Sequence, residues 1–207
     1  MNLEQFKAEQ KEAAAKVVTA DGFGQATLIG GCDQAFFGTK IVSVVVVLDS
    51  NLNLVDKASH IEDVQLPYIP GYLFFREGPA VMSAYNKLAT KPDVLMVDEN
   101  GILHPQRCGM ASHIGVALGI PTIGVAKNKL LGTVEGGMVT VDGSILGAEV
   151  RTRDYSKPLY VSPGHKVSLT TSIELVKRSI RYPHKLPEPL HMAHRLAEAL
   201  KDAQPKD

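Results

Sequence analysis

The chain has 207 residues, 44% of them hydrophobic and 21% charged, a composition typical of a globular protein with a well-buried core. Its 22 basic and 22 acidic residues give a net charge of +0, which argues against non-specific coating of nucleic acid but leaves room for a local basic groove. An aromatic content of 6% without tryptophan is likewise poor for coating single strands by stacking.

Cysteine usage and apolar run lengths indicate the compartment. Cys32 and Cys108 do not form a CxxC pair, which argues against a disulfide scaffold or a cysteine-rich zinc module. The N-terminal segment is charged and lacks the apolar core of a signal peptide. The most apolar run, Val42 to Leu48, is far shorter than the roughly 20 residues that span a bilayer. We therefore expect a cytoplasmic protein with free thiols and no membrane partner.

The first half of the chain alternates helical and strand-like patterns. Apolar spacing and turn residues predict, in order, a helix over Leu3–Val18, strands over Thr27–Phe36, Ile41–Leu48 and Leu52–His60, a stiff loop at PYIPG, and a helix over Tyr72–Ala89. The second strand, IVSVVVVL, is so continuously apolar that we place it at the centre of a sheet covered on both faces. Gly78-Pro79 is expected to kink or restart the second helix.

The second half adds strand–helix units. The predicted elements are a strand at Asp93–Val97, a helix at Cys108–Leu118, a strand at Thr122–Ala126, short β pieces within Leu130–Val150, a strand at Leu159–Ser162, and helices at Thr170–Ile180 and Leu190–Leu200. Hairpin-linked strands followed by βαβ units predict an α/β fold, a mixed central sheet with helices on both faces. No repeat or linker is visible, so we expect a single domain over 1–207, with about 203–207 frayed.

Three acids sit beside apolar segments. Asp33 lies within the first strand, Glu77 on the helix after the proline loop, and Asp98 directly after the strand DVLMV. Burying an isolated charge is costly, so three such acids suggest a shared cation. Oxygen ligands without a cysteine or dense histidine set favour Mg²⁺ or Mn²⁺, which serve phosphodiester hydrolysis. A cap, a turn or a salt bridge is the alternative role of each acid, and for Asp98 a turn role has about even weight.

Two histidines and a lysine are further candidates. His165 follows Ser-Pro-Gly at a predicted strand end, where it is either structural or a metal ligand or proton relay. His104 lines a pocket or bonds a loop carbonyl, and Lys127 after TIGVA binds phosphate or is a surface lysine. A subset of the late basic residues is a candidate phosphate track, namely of Arg151, Arg153, Lys157, Lys166, Lys177, Arg178 and Arg181.

Tyr68 stands between two prolines, Pro67 and Pro70. It is either a buried loop anchor or a rigid exposed aromatic that stacks on bases or separates them. The stiff prolines favour the second role slightly. Gly71 and Gly101 allow the backbone to approach a ligand, although each is alternatively a plain turn residue.

Long motifs of the chain resemble those of the endonuclease V family. They are PYIPGYLFFREGP, PDVLMVDENGILHPQRCGMASHIGVALGIPTIGVAKNKLLG and YVSPGHKVSL, with CDQAF and LPEPLHMAHRLA also fitting the layout. The resemblance runs in order over nearly the whole chain. It implies an RNase H-like fold and a DNA-repair enzyme that cleaves the second phosphodiester bond 3′ to deoxyinosine, leaving 3′-hydroxyl and 5′-phosphate ends.

The resemblance also implies residue roles. It implies metal-binding acids at Asp33, Glu77 and Asp98, further catalytic groups at Lys127 and His165, a wedge at Tyr68, and a base pocket from Pro70, Gly71, Leu73, Gly101, His104 and Leu130. The implied cofactor is Mg²⁺, for which Mn²⁺ substitutes. The expected partner is DNA containing deoxyinosine, with inosine-containing RNA as a second candidate, and a monomer is expected.

One position departs from the family pattern. The chain reads Asp98-Glu99-Asn100-Gly101 where the family usually has a glycine at the second position. Glu99 adds bulk and charge beside the expected metal and base sites, where it is a candidate extra ligand or a repulsive charge for phosphate. The alternatives are an inosine-specific ribonuclease, a non-cleaving inosine-binding protein and, more weakly, a small-molecule hydrolase.

Overall fold

The computed structural model of the protein describes residues 3–204, so residues 1–2 and most of the predicted frayed tail, 205–207, lie outside the described part. Within 3–204 the backbone forms nine strands and five helices. The strands are β1 Ile29–Phe37, β2 Lys40–Leu48, β3 Leu54–Asp63, β4 Val94–Val97, β5 Thr122–Ala126, β6 Thr133–Glu135, β7 Met138–Val141, β8 Ser144–Val150 and β9 Leu159–His165. The helices are α1 Leu3–Ala15, α2 Leu73–Asn86, α3 Met110–Leu118, α4 Leu169–Arg178 and α5 Glu188–Asp202.

All nine described strands belong to one sheet in the order β3-β2-β1-β4-β5-β9-β8-β7-β6. The pairs β1–β4 and β4–β5 are parallel, whereas the hairpin-linked strands and the β5–β9 pair are antiparallel. The α/β class and the mixed sheet predicted from the sequence are thereby confirmed. No helix within residues 3–204 is both long enough and apolar enough to cross a membrane.

The side chains of β2 explain its continuous apolar run. Val45 and Val47 pack in the cluster that contains α2, whereas Val42, Val44 and Val46 pack against α5 on the other face. Successive residues of a strand point to opposite faces, so a strand covered on both faces needs apolar residues throughout. Helices therefore cover both faces of the sheet, as predicted. The predicted central position of β2 is wrong, because β2 lies beside the edge strand β3.

The structure differs from the prediction within helix α2 and at the end of strand β9, besides shifts of a few residues at other element ends. Helix α2 continues through Pro79 without a break. Strand β9 does not end before Pro163-Gly164 but extends to His165, with Pro163 opposite Ile123 of β5 and a register shift at Thr122/Ile123. The proline stays in the strand beside an irregularity in the pairing, where proline is tolerated.

A glycine of β1 controls how closely α5 approaches the sheet. A Cβ atom on Gly31 would lie 2.4 Å from the carbonyl carbon of Pro189 in the first turn of α5. Only glycine leaves room for this contact. The close approach places the side chains of α5 beside the end of β1, which positions the site described next.

Candidate active site

Two carboxylates lie side by side at one edge of the sheet. In the parallel pair β1–β4, Cys32 lies opposite Val97, so the residues that follow, Asp33 and Asp98, are neighbours at the same end. Cys32 and Val97 pack on the α2 face, and strand alternation turns Asp33 toward α5 on the other face. Both carboxylates are largely buried, which makes their repulsion significant unless cations are near.

Two basic side chains face these acids. Lys127, the residue after β5, donates from Nζ to Oδ2 of Asp98. His194 of α5 places Nδ1 2.7 Å from Oδ2 of Asp33, whose other oxygen accepts the Gln34 N–H at 2.8 Å. Burial opposes the charge of Lys127, but the carboxylates of Asp98, Asp33 and Glu99 together outweigh burial and raise the pKa of the lysine. The edge therefore holds carboxylates matched by a lysine and a histidine.

Two glutamates extend the acidic cluster. Burial raises the pKa of Glu77 to about 7, with a further contribution from the charge of Glu99, while Arg76 opposes it. Burial likewise raises the pKa of Glu99 to about 7, with Asp98 as the second cause. Burial also raises the pKa of Asp98, despite Lys127. The four carboxyl groups thus form one electrostatically coupled set, which a cation would stabilise in its charged form.

The acids suit a hard cation, although they do not form a finished cage. Within residues 3–204, no group of three or more His, Cys, Asp or Glu side chains is gathered as a ready metal site. Magnesium usually binds one or two carboxylates together with waters and substrate phosphate oxygens. Asp33 and Asp98 supply two such oxygen donors, and Glu77 of α2 is near enough for the charge of Asp33 to contribute to its raised pKa. The donor set fits Mg²⁺ held jointly by protein and substrate.

A cavity of about 230 Å³ lies beside the acids. Four residues of the predicted base pocket line it, namely Gly71, Leu73, His104 and Leu130, together with the predicted wedge Tyr68 and with Glu77 and Glu99. A neighbouring depression shares Tyr68, Glu99 and Leu130 with it and reaches Asp98 and Lys127. The cavity therefore opens directly onto the acidic edge. Tyr68 is 63% exposed, so its alternative role as a buried anchor is wrong.

The cavity wall is held by two buried side chains. Gln10 of α1 donates from Nε2 to the carbonyl oxygens of Gly71 and Cys108, each at 2.9 Å. His104 accepts the Gln106 N–H on Nδ1 at 3.2 Å, and burial lowers the pKa of the imidazole to about 4. A neutral histidine at physiological pH keeps this wall uncharged, which suits contact with a neutral base.

Two residues of the predicted pocket do not line this cavity, Pro70 and Gly101. The Gly101 N–H donates to Oγ of Ser162 at 2.9 Å, and a Cβ at this position would lie 2.0 Å from the Pro163 carbonyl oxygen. Gly101 is therefore a packing glycine between the β4 end and β9. Its amide is already bonded, so it does not face a ligand.

The structure does not bring His165 to the acids. His165 lies opposite Thr122 at the start of β5, whereas Lys127 follows the end of β5. Its Nδ1 accepts the Val18 N–H at 3.2 Å, which is a structural contact. The prediction placed His165 at a strand end where sites are built, but β9 runs antiparallel to β5, so its end lies at the opposite edge of the sheet.

His194 and Gln10 were missed from the sequence. His194 lies on α5 between the buried residues Ala193 and Ala197, and this amphipathic spacing is the one local signal that places it toward the sheet. Gln10 is 2% exposed in a helix that is otherwise largely solvated, and nothing in its sequence context marks it. Both depend on contacts between elements distant in sequence.

Known proteins of similar sequence belong to one family. The family model for endonuclease V matches residues 11–195. The chain belongs to the endonuclease V family. An endonuclease V of Dictyoglomus thermophilum is 44% identical over 195 residues, which cover 89% of this chain and 85% of the relative. One from Roseiflexus castenholzii is 40% identical, with 95% and 92% covered.

Solved structures of endonuclease V superimpose closely. That of Streptomyces avermitilis has a TM-score of 0.90 at 33% identity, covering 98% of this chain and 94% of the other. That of Ciona intestinalis has a TM-score of 0.86 at 28% identity, covering 98% and 99%. The Ciona protein was crystallised with a DNA 24-mer containing an inosine followed by a ribo-adenosine.

Proposed function

We propose that this protein recognises deoxyinosine in DNA and hydrolyses the second phosphodiester bond on its 3′ side, leaving 3′-hydroxyl and 5′-phosphate ends, as a DNA-repair enzyme. The observation that carries the proposal is that the carboxylates of Asp33 and Asp98 lie side by side at one sheet edge, beside a cavity flanked by Tyr68. Family membership and the inosine-containing complexes of a relative support the substrate class.

Each side chain of the edge has a chemical task. Asp33 and Asp98, with Glu77, would hold Mg²⁺ against the scissile phosphate. When bound, the cation supplies charge neutralisation and an activated water for in-line hydrolysis. Lys127, whose ammonium contacts Asp98, would orient a phosphate oxygen. His194, which contacts Asp33, replaces His165 as the histidine positioned to move a proton at this edge.

The cavity would receive the extruded base. Its lining combines apolar and polar side chains with the carboxyls of Glu77 and Glu99 on the side of the acids, and the neutral His104 adds no charge against the uncharged hypoxanthine ring. Hypoxanthine pairs less firmly than a normal base, so its extrusion costs less. The exposed ring of Tyr68, at the mouth shared with the acidic edge, would fill the gap left in the stack.

Strand cleavage tests this function. The purified protein is incubated with an end-labelled duplex carrying one deoxyinosine, in Mg²⁺ and in EDTA, beside an inosine-free duplex. We expect cutting of the inosine strand in Mg²⁺ alone. Equal cutting of both duplexes would contradict the specificity, and cutting in EDTA would contradict the metal requirement.

A ribonuclease role is the second candidate. The Ciona complexes contain a ribonucleotide directly after the inosine, so in that relative the position accepts a 2′-hydroxyl. Equal-length deoxyinosine and riboinosine strands compared at limiting enzyme decide between the two. Faster cleavage of the RNA would make RNA the primary substrate.

For the compartment we propose the cytoplasm, since Cys32 and Cys108 are free and buried.

A further inference from the structure

A second groove lies between two loops that the active site does not use. The β8–β9 loop, residues 151–158, and the α4–α5 loop, residues 179–187, enclose about 620 Å³. Hydrogen bonds tie the loops together, from Thr152 Oγ1 to the Lys185 carbonyl at 2.6 Å and from Arg153 Nη1 to the Pro183 carbonyl at 3.4 Å. The groove is therefore built by cross-links between the loops.

Two aromatic rings flank this groove without being packed. Tyr155 is fully exposed and Tyr182 is 86% exposed, and both line the groove. The backbone of Tyr155 has φ +57°, a left-handed conformation that is unfavourable for a residue with a Cβ. The hydroxyl of Ser156 bonds the Arg153 carbonyl at 2.8 Å and fixes this turn. A strained turn thus holds an aromatic ring in solvent, where it adds little to stability.

Positive charge predominates at the same place, where Asp154 is the one acid among the described residues that line the groove. Arg151, Arg153 and Lys157 are exposed on the β8–β9 loop. Lys185 is half-buried beneath them, and burial, followed by the charges of Lys127 and Arg153, lowers the pKa of its ammonium. These cations repel one another, and a polyanion in the groove would relieve that repulsion. Exposed aromatic rings interleaved with cations are the pattern of single-strand nucleic-acid binding.

The strand register fixes where the groove lies relative to the acids. Ala126 pairs with Tyr160 and Val150 with Leu159, so the β8–β9 loop lies at the same sheet edge as Lys127. Across this edge the order is Asp33, Asp98, Lys127 and then the groove. The base cavity shares no lining residue with the groove. The groove therefore lies beyond the acids, continuing past Lys127.

We propose that this groove binds the substrate strand on the 3′ side of the scissile phosphate, with Tyr155 and Tyr182 stacking on unpaired bases and the surrounding cations contacting phosphates. The direction rests on the proposed function, in which the inosine occupies the cavity and the cut lies to its 3′ side. Stacking and phosphate contacts do not read base identity, so the groove contributes affinity without sequence preference.

Flank-length dependence of binding tests the proposal. Fluorescence anisotropy in EDTA measures the Kd of the full chain for single strands with one deoxyinosine, trimmed stepwise from the 3′ or the 5′ end. For the wild type, removing the 3′ flank is expected to raise Kd about 10-fold. The double variant Tyr155→Ala/Tyr182→Ala is expected to lose the same factor on the long strand and to ignore 3′ trimming.

Three matched variants separate the contributions. Tyr155→Phe/Tyr182→Phe keeps the ring faces and should retain the wild-type 3′ dependence. Arg153→Ala should weaken binding of inosine and inosine-free strands alike and reduce the slope of log Kd against log salt by about 1. Lys57→Ala, exposed on the edge strand β3 at the other side of the sheet, should change neither quantity. The altered side chains are solvent-exposed, so each variant should fold, and thermal melting checks this.

Cleavage separates this inference from the proposed function. In Mg²⁺ at saturating long substrate, the double alanine variant should keep the wild-type kcat, with only KM raised. The groove assignment alone is overturned if the wild type cuts at inosine but the double alanine variant keeps the wild-type 3′-flank dependence. It is also overturned if binding depends on the 5′ flank instead. If the wild type does not cut at inosine, the proposed function is overturned. The Kd values of the wild type and the double alanine variant for inosine-free strands then still decide whether the groove binds nucleic acid.

Discussion

Strand β4 has an aspartate before it and another after it, and the two carboxylates have different surroundings. Before β4, Oδ2 of Asp93 accepts three hydrogen bonds, from the Thr27 N–H at 2.8 Å, the Thr27 hydroxyl at 3.0 Å and the Leu28 N–H at 2.9 Å. After β4, Asp98 has the Lys127 ammonium as its partner and lies beside other buried carboxyls. The same strand thus begins and ends with an aspartate.

The contrast shows how a structural acid differs from a functional one. Asp93 has its charge dispersed over backbone and hydroxyl donors, and it ties β1 to β4. Burial, with the charge of Asp33 as a further cause, raises the pKa of Asp98 despite Lys127, so a bound cation would stabilise its ionised form. Carboxylates held close together against their repulsion mark a site that binds cations, whereas satisfied ones hold the fold.

The largest expected effect separates these two aspartates. Asp98→Ala removes a carboxylate from the acidic edge, so cleavage of the deoxyinosine strand should fall about 10³-fold or more while binding in EDTA is retained. Asp93→Ala should instead cost about 1–3 kcal/mol of unfolding free energy and leave cleavage by the folded protein near wild type. Single-turnover cleavage and urea denaturation measure both. Wild-type cleavage by Asp98→Ala would contradict the contrast.

The two histidines provide the next test. His194→Ala should slow cleavage about 10²-fold, because it removes the side chain that contacts Asp33. His165→Ala should lower stability through loss of the Val18 contact and leave the cleavage rate of folded protein unchanged. Rates for both variants are measured with saturating substrate below their melting temperatures. The reverse ranking would show that His165, not His194, serves the reaction.

In the absence of metal, the acidic edge should make the free energy of unfolding depend on pH. The pKa of Glu77 is raised from 4.5 to about 7 in the folded state, so its contribution is favourable below pH 4.5 and is lost as pH rises through 7. Glu77→Gln should therefore stabilise the fold in EDTA at pH 8, by about 1–3 kcal/mol, and have little effect at pH 4. Urea denaturation at both pH values checks this. Destabilisation at pH 8 would show that the Glu77 carboxylate is already satisfied.

The smallest effect concerns the unusual Glu99. Its carboxyl adds negative charge beside Asp98, which attracts Mg²⁺ and repels phosphate. Glu99→Gln should raise the Mg²⁺ concentration for half-maximal cleavage about 2- to 5-fold and tighten DNA binding in EDTA. Glu174→Gln on the exposed face of α4 is the matched control and should change neither. Weaker DNA binding by Glu99→Gln would make Glu99 a substrate contact instead.

Sequence reasoning succeeded where the information is local. The continuous apolar run of β2, the acids that follow the paired segment of β1 and β4, and the lysine after β5 all follow from short-range pattern and from parallel strand order. His165 failed because the edge reached by β9 depends on its antiparallel pairing with β5, which no local pattern encodes. Gly101 failed for a similar reason, since its close contact is with Pro163 on a distant strand.

The most direct test of the acidic edge is the position of the cut. Wild-type protein in Mg²⁺ is given a 5′-labelled strand with one deoxyinosine, and the product is sized at nucleotide resolution, with Asp98→Ala alongside. We predict a single product that ends one nucleotide beyond the inosine on its 3′ side and carries a 3′-hydroxyl, absent with Asp98→Ala. A cut elsewhere, or the same product from Asp98→Ala, would contradict the assignment of this edge as the catalytic site.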